Sequence, residues 1–364
     1  MKKVSFIGLC DYGNTMTYWA HALNECSLKY EAKVICAHPH RFQYKYHHHI
    51  NLCPELPDSN GRLNPNPDMI SQAKEWILQS DHIVFAEEMN LLPDPWRYAF
   101  MSVLQKFIGF HLLELFSSRP NLKKYIWHSG SDYRSSYQGF NVLNPQVFDN
   151  VLMGVDLYRL SPKTDDILVP FVVTDPSQEL KSIEEVQAKY ASDHLKIFHA
   201  PSSHGTKGTE DIRKVIQQVF QELQSEELEL SWTYEEIVPP VPNEEVLKKK
   251  RESHLYIDQY QLDIGGYGIS STEALAQGNI VFSSLNKIPP DSLERQCLTR
   301  AEYEQFPIVD TGDNLVTFKQ KLKLWMKKPK EELLRKAVSS YQFHQRHMTF
   351  GASARRFEET VFND

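Results

Sequence analysis

The stretch from Leu255 to Phe282 constrains the fold more than any other part of the chain. It opens on the apolar run Leu255–Ile257, which reads as the end of a buried strand. A turn containing Gly265, Gly266 and Gly268 follows, then a helix of small residues that Gly278 closes. Ile280–Phe282 begins the next strand at once. A strand, a glycine turn, a helix and another strand form the repeating unit of α/β proteins with parallel sheets. The same joint holds phosphate in such proteins, because the first helical N–H groups lack intrahelical partners and point at the ligand. The glycines let the backbone approach closely. Glu273 lies about a turn and a half inside the helix, where a carboxylate can accept hydrogen bonds from sugar hydroxyls. The other account of these residues is a strand–loop–helix joint with no ligand.

Length and composition bound the rest. A chain of 364 residues makes two domains or one large one. With 41% hydrophobic and 24% charged residues it forms a core and is not disordered. A net charge of −7, with neither half a polycation, argues against a nucleic-acid partner. No apolar run approaches the roughly 20 residues that span a bilayer. The run in Met1–Gly8 is too short for a signal-peptide core and reads as a first buried strand. Cys10, Cys26, Cys36, Cys53 and Cys297 show no C-x-x-C spacing, which fits reduced thiols in a cytoplasmic protein.

The first half reads as a strand at 3–9, a turn holding Gly13, an amphipathic helix at 16–26 and a strand at 31–37. This β-α-β unit implies a parallel sheet. Gly13 sits where a glycine lets a ligand approach the end of the first strand. The run 38–49 holds five histidines. No Cys, Asp or Glu stands among them at ligand spacing, so a metal is not expected. A basic-aromatic loop that touches an anionic or sugar acceptor, and a solvated loop, both stay open. A helix is expected at 68–79, a strand at 82–86, a buried helix at 97–116 and a strand at 125–127. That last strand ends in His128-Ser129-Gly130-Ser131-Asp132-Tyr133-Arg134. Polar residues at a strand's carboxyl end lie where open α/β folds bind ligands. His128 could carry a proton or donate a hydrogen bond, and Asp132 and Arg134 could orient it or bind an acceptor. The alternative is a histidine satisfied within the joint. Val155–Leu160 and Ile167–Val173 read as the last strands of this half.

The second half starts afresh after a polar helix at 177–191. A strand at 195–199 runs into Ala200–Thr209, and a helix follows at 210–223. Lys207, between Gly205 and Gly208 and just before that helix, can place an ammonium on a phosphate beside the helix N–H groups. The G-x-x-x-x-G-K-[ST] loop is absent, so an ATPase-type site is not expected. A strand at 228–232, a proline-rich loop at 233–242, a helix at 244–251, a short strand at 308–309 and a helix at 314–327 complete the half. From Lys330 the chain reads as helical, with a break at Gly351.

Residues 197–213 resemble the first strand-loop-helix of the donor domain of GT-B glycosyltransferases. Residues 255–283 resemble that domain's donor-binding strand-loop-helix, in the manner of glycosyltransferase family 4. His128–Arg134 is similar to the H-x-G-S-D-x-R segment of the acceptor domain in bacterial members. The helices from 330 look like the pair that crosses back to the first domain. The resemblance implies two Rossmann-like domains facing a cleft: an acceptor domain over 1–175, a donor domain over 176–340, and a returning helix over 341–364. It implies that Gly13, Ser202, Lys207, Gly266, Tyr267, Gly268, Ser270, Ser271 and Glu273 hold a nucleoside-diphosphate sugar. Lys207 would meet the diphosphate and Glu273 the ribose. His128, Lys207 and Glu273 would carry the catalytic roles, and Asp132 and Arg134 the acceptor. No metal and no further cofactor are implied, since the lysine and helix N-termini stabilise the leaving diphosphate. The sequence departs from the pattern at Gly265, where a glutamate stands eight positions before Glu273 in the family, and at Pro201, where an arginine is common.

The leading expectation is a retaining glycosyltransferase acting on a glycan, polysaccharide or lipid-linked hydroxyl, with a membrane surface left open as the meeting place. A nucleotide-sugar epimerase or hydrolase, and a non-catalytic sugar-binding partner subunit, are the alternatives.

Overall fold

Buried apolar strands alternate with amphipathic helices along both halves of the chain. The computed structural model describes all residues except 41–47, 87–106, 110–111, 129, 162–166, 169–173, 175, 202–203, 238–240, 262–264, 290–291, 294–298 and 364. The side chains of Tyr12, Leu112, Leu113, Ser131, Asp132, Ser135, Ser136, Leu143, Ile167, Leu168, Gln178, His204 and Thr206 also lie outside the description. The chain divides into two units, Met1–Pro170 with Phe350–Asp364, and Phe171–Thr349.

The first unit holds β1 (Lys2–Gly8), β2 (Tyr30–Cys36), β3 (His49–Asn51), β4 (His82–Ala86), β5 (Lys123–His128), β6 (Asn150–Met153) and β7 (Ile167–Leu168). They form one sheet in the order β3-β2-β1-β4-β5-β6-β7, all neighbours parallel. Val4 to Gly8 are buried without interruption, as a strand covered on both faces requires. Among its helices are α1 (Thr15–Cys26), α2 (Pro67–Gln79) and α3 (Ser131–Val147).

The second unit holds β8 (His194–His199), β9 (Ser231–Glu236), β10 (Leu255–Gln259), β11 (Ile280–Ser283) and β12 (Val309–Asp310). Their order is β12-β11-β10-β8-β9, again all parallel. Counted within the unit this is the 2-1-3-4-5 order of doubly wound folds. Its helices include α4 (Thr209–Leu223), α5 (Asn243–Glu252), α6 (Ile269–Ala276), α7 (Leu315–Met326) and α8 (Lys330–His347). In α4 the residues Ile212, Val215, Ile216, Val219 and Leu223 recur at helical spacing and are all buried. They meet Leu195, Ile197, Leu255 and Ile257 of the sheet in one core.

The expectation of two Rossmann-like α/β halves is met. Several local readings are corrected. Val155–Leu160 is not a strand. The strand is Asn150–Met153, fixed by its register with Tyr125–His128, and Gly154 ends it. Tyr158–Leu160 is a single 3-10 turn. β9 extends through Glu236 into the expected loop, because each residue from Ser231 to Glu236 pairs with β8. His49 belongs to a strand and not to the histidine-rich loop, whose residues 41–47 lie outside the described ones. Of the helix expected at 97–116, residues 97–106 and 110–111 lie outside the description, and Leu112–Ser118 is helical. The late break falls at Met348–Thr349 and not at Gly351, which is helical. The stretch 341–349 stays with the second unit, since α8 is one continuous helix whose Leu333, Ala337 and Tyr341 enter that unit's core.

Candidate functional site

In the second unit, β8 and β10 lie side by side at the point where strand order reverses. The chain leaving β8 enters α4, which leads to β9 on one side. The chain leaving β10 enters α6, which leads to β11 on the other. Open α/β sheets bind ligands outside the strand ends at such a point.

The two loops are stitched together there. Tyr260 N donates to Lys207 O at 3.0 Å. Gly208, at φ 66, packs so tightly that a Cβ would stand 1.9 Å from Tyr260 O. Below them His199 is fully buried. Its Nδ1 donates to Ile257 O at 2.7 Å, so its Nε2 accepts from Thr209 Oγ1 at 2.9 Å. Burial pushes this histidine down to about 4, and it stays neutral as a tie between β8, β10 and the start of α4.

Lys207 projects from this joint, 18% exposed, and donates to Asp258 Oδ1 at 2.8 Å and Gln259 Oε1 at 3.2 Å. Asp258 is fully buried at the end of β10, and its Oδ2 accepts from Ser271 Oγ at 2.7 Å. Burial raises the Asp258 carboxyl. The Lys207 charge, the hydrogen bonds from Lys207 and Ser271 and the field of Lys250 outweigh that and leave it below its ordinary value. One buried carboxylate therefore links the cation to the first turn of α6.

Helix α6 begins at Gly268 without a side-chain cap, and a Cβ on Gly268 would meet nothing within 4 Å. The turn before it is braced from beneath. Gly266 N donates to Ser284 O at 2.5 Å, and Gly266 O accepts from Gln259 Nε2 at 2.8 Å and Ser283 Oγ at 2.5 Å. Tyr267 packs on Phe306 at 5.3 Å between ring centroids. Gly265 takes φ 67, and a Cβ there would stand 2.9 Å from Lys287 Cβ and 3.3 Å from Ser284 O. That packing is the physical reason for glycine where the resembled pattern has glutamate.

The structure thus brings Lys207, Gly266, Gly268, Ser271 and Glu273 of the expected donor site onto two adjoining strand-helix joints. Ser270 and Ser271 spend their hydroxyls internally. Ser271 donates to Asp258, and Ser270 Oγ lies 2.9 Å from Lys250 Nζ and 2.6 Å from Tyr256 Oη. Glu273 is 6% exposed and pairs with Lys250 at 2.6 Å. Ser202 lies outside the described residues. Asp258, Lys250 and Tyr256 were not singled out from the sequence. A carboxylate inside the otherwise apolar run Leu255–Ile257 onward was the available signal, because a buried charge needs a partner.

In the first unit, Gly13 and Asn14 take left-handed conformations at φ 62 and φ 59 before α1. The start of α1 is filled by the chain itself. Asp11 accepts from Met16 N at 2.9 Å, Thr17 N at 2.8 Å and Thr17 Oγ1 at 2.6 Å. His128, expected at the carboxyl edge of the sheet, is fully buried. It accepts from Asn144 Nδ2 at 2.7 Å and stacks against Tyr133 and Phe140 at 4.4 and 5.4 Å. It faces α3, because α3 turns its aromatic residues inward over the end of β5. Arg134 donates to Asp156 Oδ2 at 2.5 Å. Gly130 and Gly154 leave room for this pair, since a Cβ on either would press on Arg134 or Asp156 at 3.0 or 2.9 Å. Among the described residues no group of three or more His, Cys, Asp or Glu could hold a metal ion. Likewise, among them no helix is long and apolar enough to cross a membrane.

No protein-family model matches the sequence, and no curated protein matches it. Solved structures do. An α-glucosyltransferase in complex with UDP-glucose and DNA containing an abasic site superposes with a TM-score of 0.59 at 10% identity, over 100% of this chain and 99% of that one. Anabaena HepE in complex with UDP-glucose gives 0.56 at 10% identity, over 100% of both chains. WaaG, a glycosyltransferase involved in lipopolysaccharide biosynthesis, gives 0.51 at 10% identity, over 98% of this chain and 99% of that one. The fold is GT-B. In GT-B terms the joints after β8 and β10 belong to the second Rossmann-like unit, and the Gly13 turn and His128 to the first.

Proposed function

We propose that the chain is a glycosyltransferase whose second unit binds a nucleoside-diphosphate sugar and whose acceptor is a hydroxyl of a glycan or lipid-linked glycan. The observation that carries this reading is the chain Lys207–Asp258–Ser271, which gathers an ammonium and a helix N-terminus at the switch point of the second sheet. A diphosphate is the ligand this pair fits, because the ammonium and the helix start both offer N–H donors to an anion. The GT-B neighbours crystallised with UDP-glucose support the same ligand class.

In the proposed reaction the acceptor oxygen bonds to the anomeric carbon as the bond from that carbon to the diphosphate oxygen breaks. The acceptor proton passes to the departing diphosphate, on the same face, so the configuration is retained. Lys207 and the opening N–H groups of α6 stabilise the charge that develops on the leaving group, without a metal. Gly266–Gly268 give the backbone close approach, and Glu273 accepts from the ribose. Asp132 and Arg134 serve the acceptor in the first unit.

The test is a thermal-shift panel of UDP-glucose, UDP-N-acetylglucosamine, GDP-mannose and ADP-glucose, repeated on Lys207→Ala. A ligand at 100 times its Kd stabilises by about 2.7 kcal/mol. One donor is expected to raise the melting temperature of the wild type and to lose that effect in the variant. If no nucleotide sugar shifts the wild type, the reading fails. Release of nucleoside diphosphate in the presence of glycan, lipid-linked or hydroxymethylated DNA acceptors then assigns the acceptor class. With a net charge of −7 the expected acceptor is a glycan.

A further inference from the structure

Lys250 stands at the end of α5 in a run of four basic residues, Lys248–Arg251, where a solvated side chain would be ordinary. It is instead fully buried. Val246 and Leu247 stand four and three residues before Lys250 and so flank it on the helix surface. Leu247 is buried with the lysine, and Val246 packs against the core beside α6. All three ammonium hydrogens have acceptors: Glu273 Oε2 at 2.6 Å, Ser270 Oγ at 2.9 Å and Ser270 O at 3.0 Å. The ammonium also lies 4.8 Å from the centre of the Tyr256 ring, whose hydroxyl meets the same Ser270 Oγ. The lysine's own backbone is pinned. Its carbonyl accepts from Ser253 N at 3.3 Å, Ser253 Oγ at 3.1 Å and Lys189 Nζ at 3.3 Å.

Stability does not account for this arrangement. Desolvating two charges costs about as much as their attraction returns, and a well-packed apolar pair of the same size is often as stable. The arrangement instead specifies geometry. Glu273 is held through Oε2, while among the described residues Oε1 has only Asn243 Nδ2, at the long distance of 3.5 Å. We propose that Lys250 is a positioning residue: it fixes one oxygen of Glu273, and with it the first turn of α6, so that the other oxygen accepts the vicinal hydroxyls of a ribose. Asn243, the first residue of α5, stands on the same oxygen and shares that recognition. The inference rests on the donor site proposed above, and it locates the discrimination between ribose and deoxyribose in a residue that never touches the ligand.

The experiment compares UDP with 2′,3′-dideoxy-UDP by calorimetry in wild type, Lys250→Met, Glu273→Gln and the double variant. A hydrogen bond to a charged acceptor makes the wild type prefer UDP by about 10-fold or more. Lys250→Met is expected to bring that preference to within about 3-fold while affinity for the dideoxy form stays unchanged. The double variant, which leaves no buried carboxylate without its cation, is expected to fold and to match Glu273→Gln. Equal loss of affinity for both nucleotides, full retention of the preference, or a double variant weaker for UDP than Glu273→Gln would each overturn the proposal. Wild-type protein that binds neither nucleotide, nor any donor in the panel, would instead remove the donor site itself.

Discussion

Gly208→Ala tests whether Lys207 is held by the backbone stitch described above. At φ 66 the residue lies in the left-handed region, and alanine there costs about 1–2 kcal/mol. The added Cβ would stand 1.9 Å from Tyr260 O, whereas real Cβ contacts almost never fall below 3.0 Å. The obstacle is a backbone carbonyl, which cannot swing aside as a side-chain end does. The β8 and β10 loops must separate by more than 1 Å, and the bond from Tyr260 N to Lys207 O is lost, together costing about 2 kcal/mol. The sum is about 3–4 kcal/mol. For a unit the size of Phe171–Thr349 that corresponds to a fall of roughly 6–16 °C in the melting temperature. Gly268→Ala is the matched control, since its Cβ meets nothing within 4 Å and its φ of −136 suits any residue. Scanning calorimetry of the two variants decides the matter. A Gly208→Ala protein that melts within about 2 °C of wild type, or a Gly268→Ala protein that falls as far, would show that the stitch is not what holds this joint.

Gly268→Ala is expected to keep its melting temperature but to bind UDP at least about 10-fold more weakly in calorimetry, because its Cβ enters the open space at the start of α6. Gly265→Glu, which restores the glutamate of the resembled pattern, is expected to destabilise by about 2 kcal/mol or more in urea unfolding, given φ 67 and the contacts with Lys287 and Ser284. Acid is expected to melt the second unit first. Burial holds His199 and His254 at about 4 and His344 at about 3, against 6.5 when unfolded, so their contribution is complete above pH 6.5 and is lost as pH falls toward 4, at about 1.4 kcal/mol per pH unit for each. In the first unit His49, also lowered to about 4 by burial, acts in the same direction, but Asp11, raised to about 6 by burial, gains stability as pH falls from 6 to 3.8 and offsets it. Thermal unfolding at pH 5 and pH 7 should show one transition that moves strongly and one that moves little. Two transitions that move together would refute that assignment.

The parts of the fold legible in the sequence were those whose signal is local. β4 and the first half of β10 are apolar runs, β1 and β8 are apolar runs broken once, at Ser5 and Lys196, and α4 carries its buried residues at helical spacing. β3 and β6 are too short to show a pattern, and α3 is a polar helix with Pro145 inside it. Its buried face rests on Tyr133, Phe140 and Asn144, which make sense only against His128 at the end of β5. The same division runs through the candidate site. Lys207 and the glycine turn are readable because their neighbours in sequence give them away. Asp258 lies 51 residues from Lys207 and Lys250 lies 23 from Glu273, so their pairing depends on a sheet order that no local pattern reveals.

That sheet order also separates two joints that look alike in sequence. Each unit has a strand, a glycine-bearing turn and a helix, and either could receive an anion on its first N–H groups. At α1 those groups are taken. Asp11, fully buried, accepts from Met16 N and Thr17 N and from the Thr17 hydroxyl, and a second negative charge there would meet a carboxylate. Burial raises that carboxyl to about 6, while the hydrogen bonds from Thr17, Met16 and Thr15 pull it down. At α6 no side chain caps the helix, and the carboxylate that reaches it, Asp258, is already neutralised by Lys207. The first joint is electrostatically closed and the second is open. On the proposed reading, the helix start that can receive a diphosphate is the one after β10.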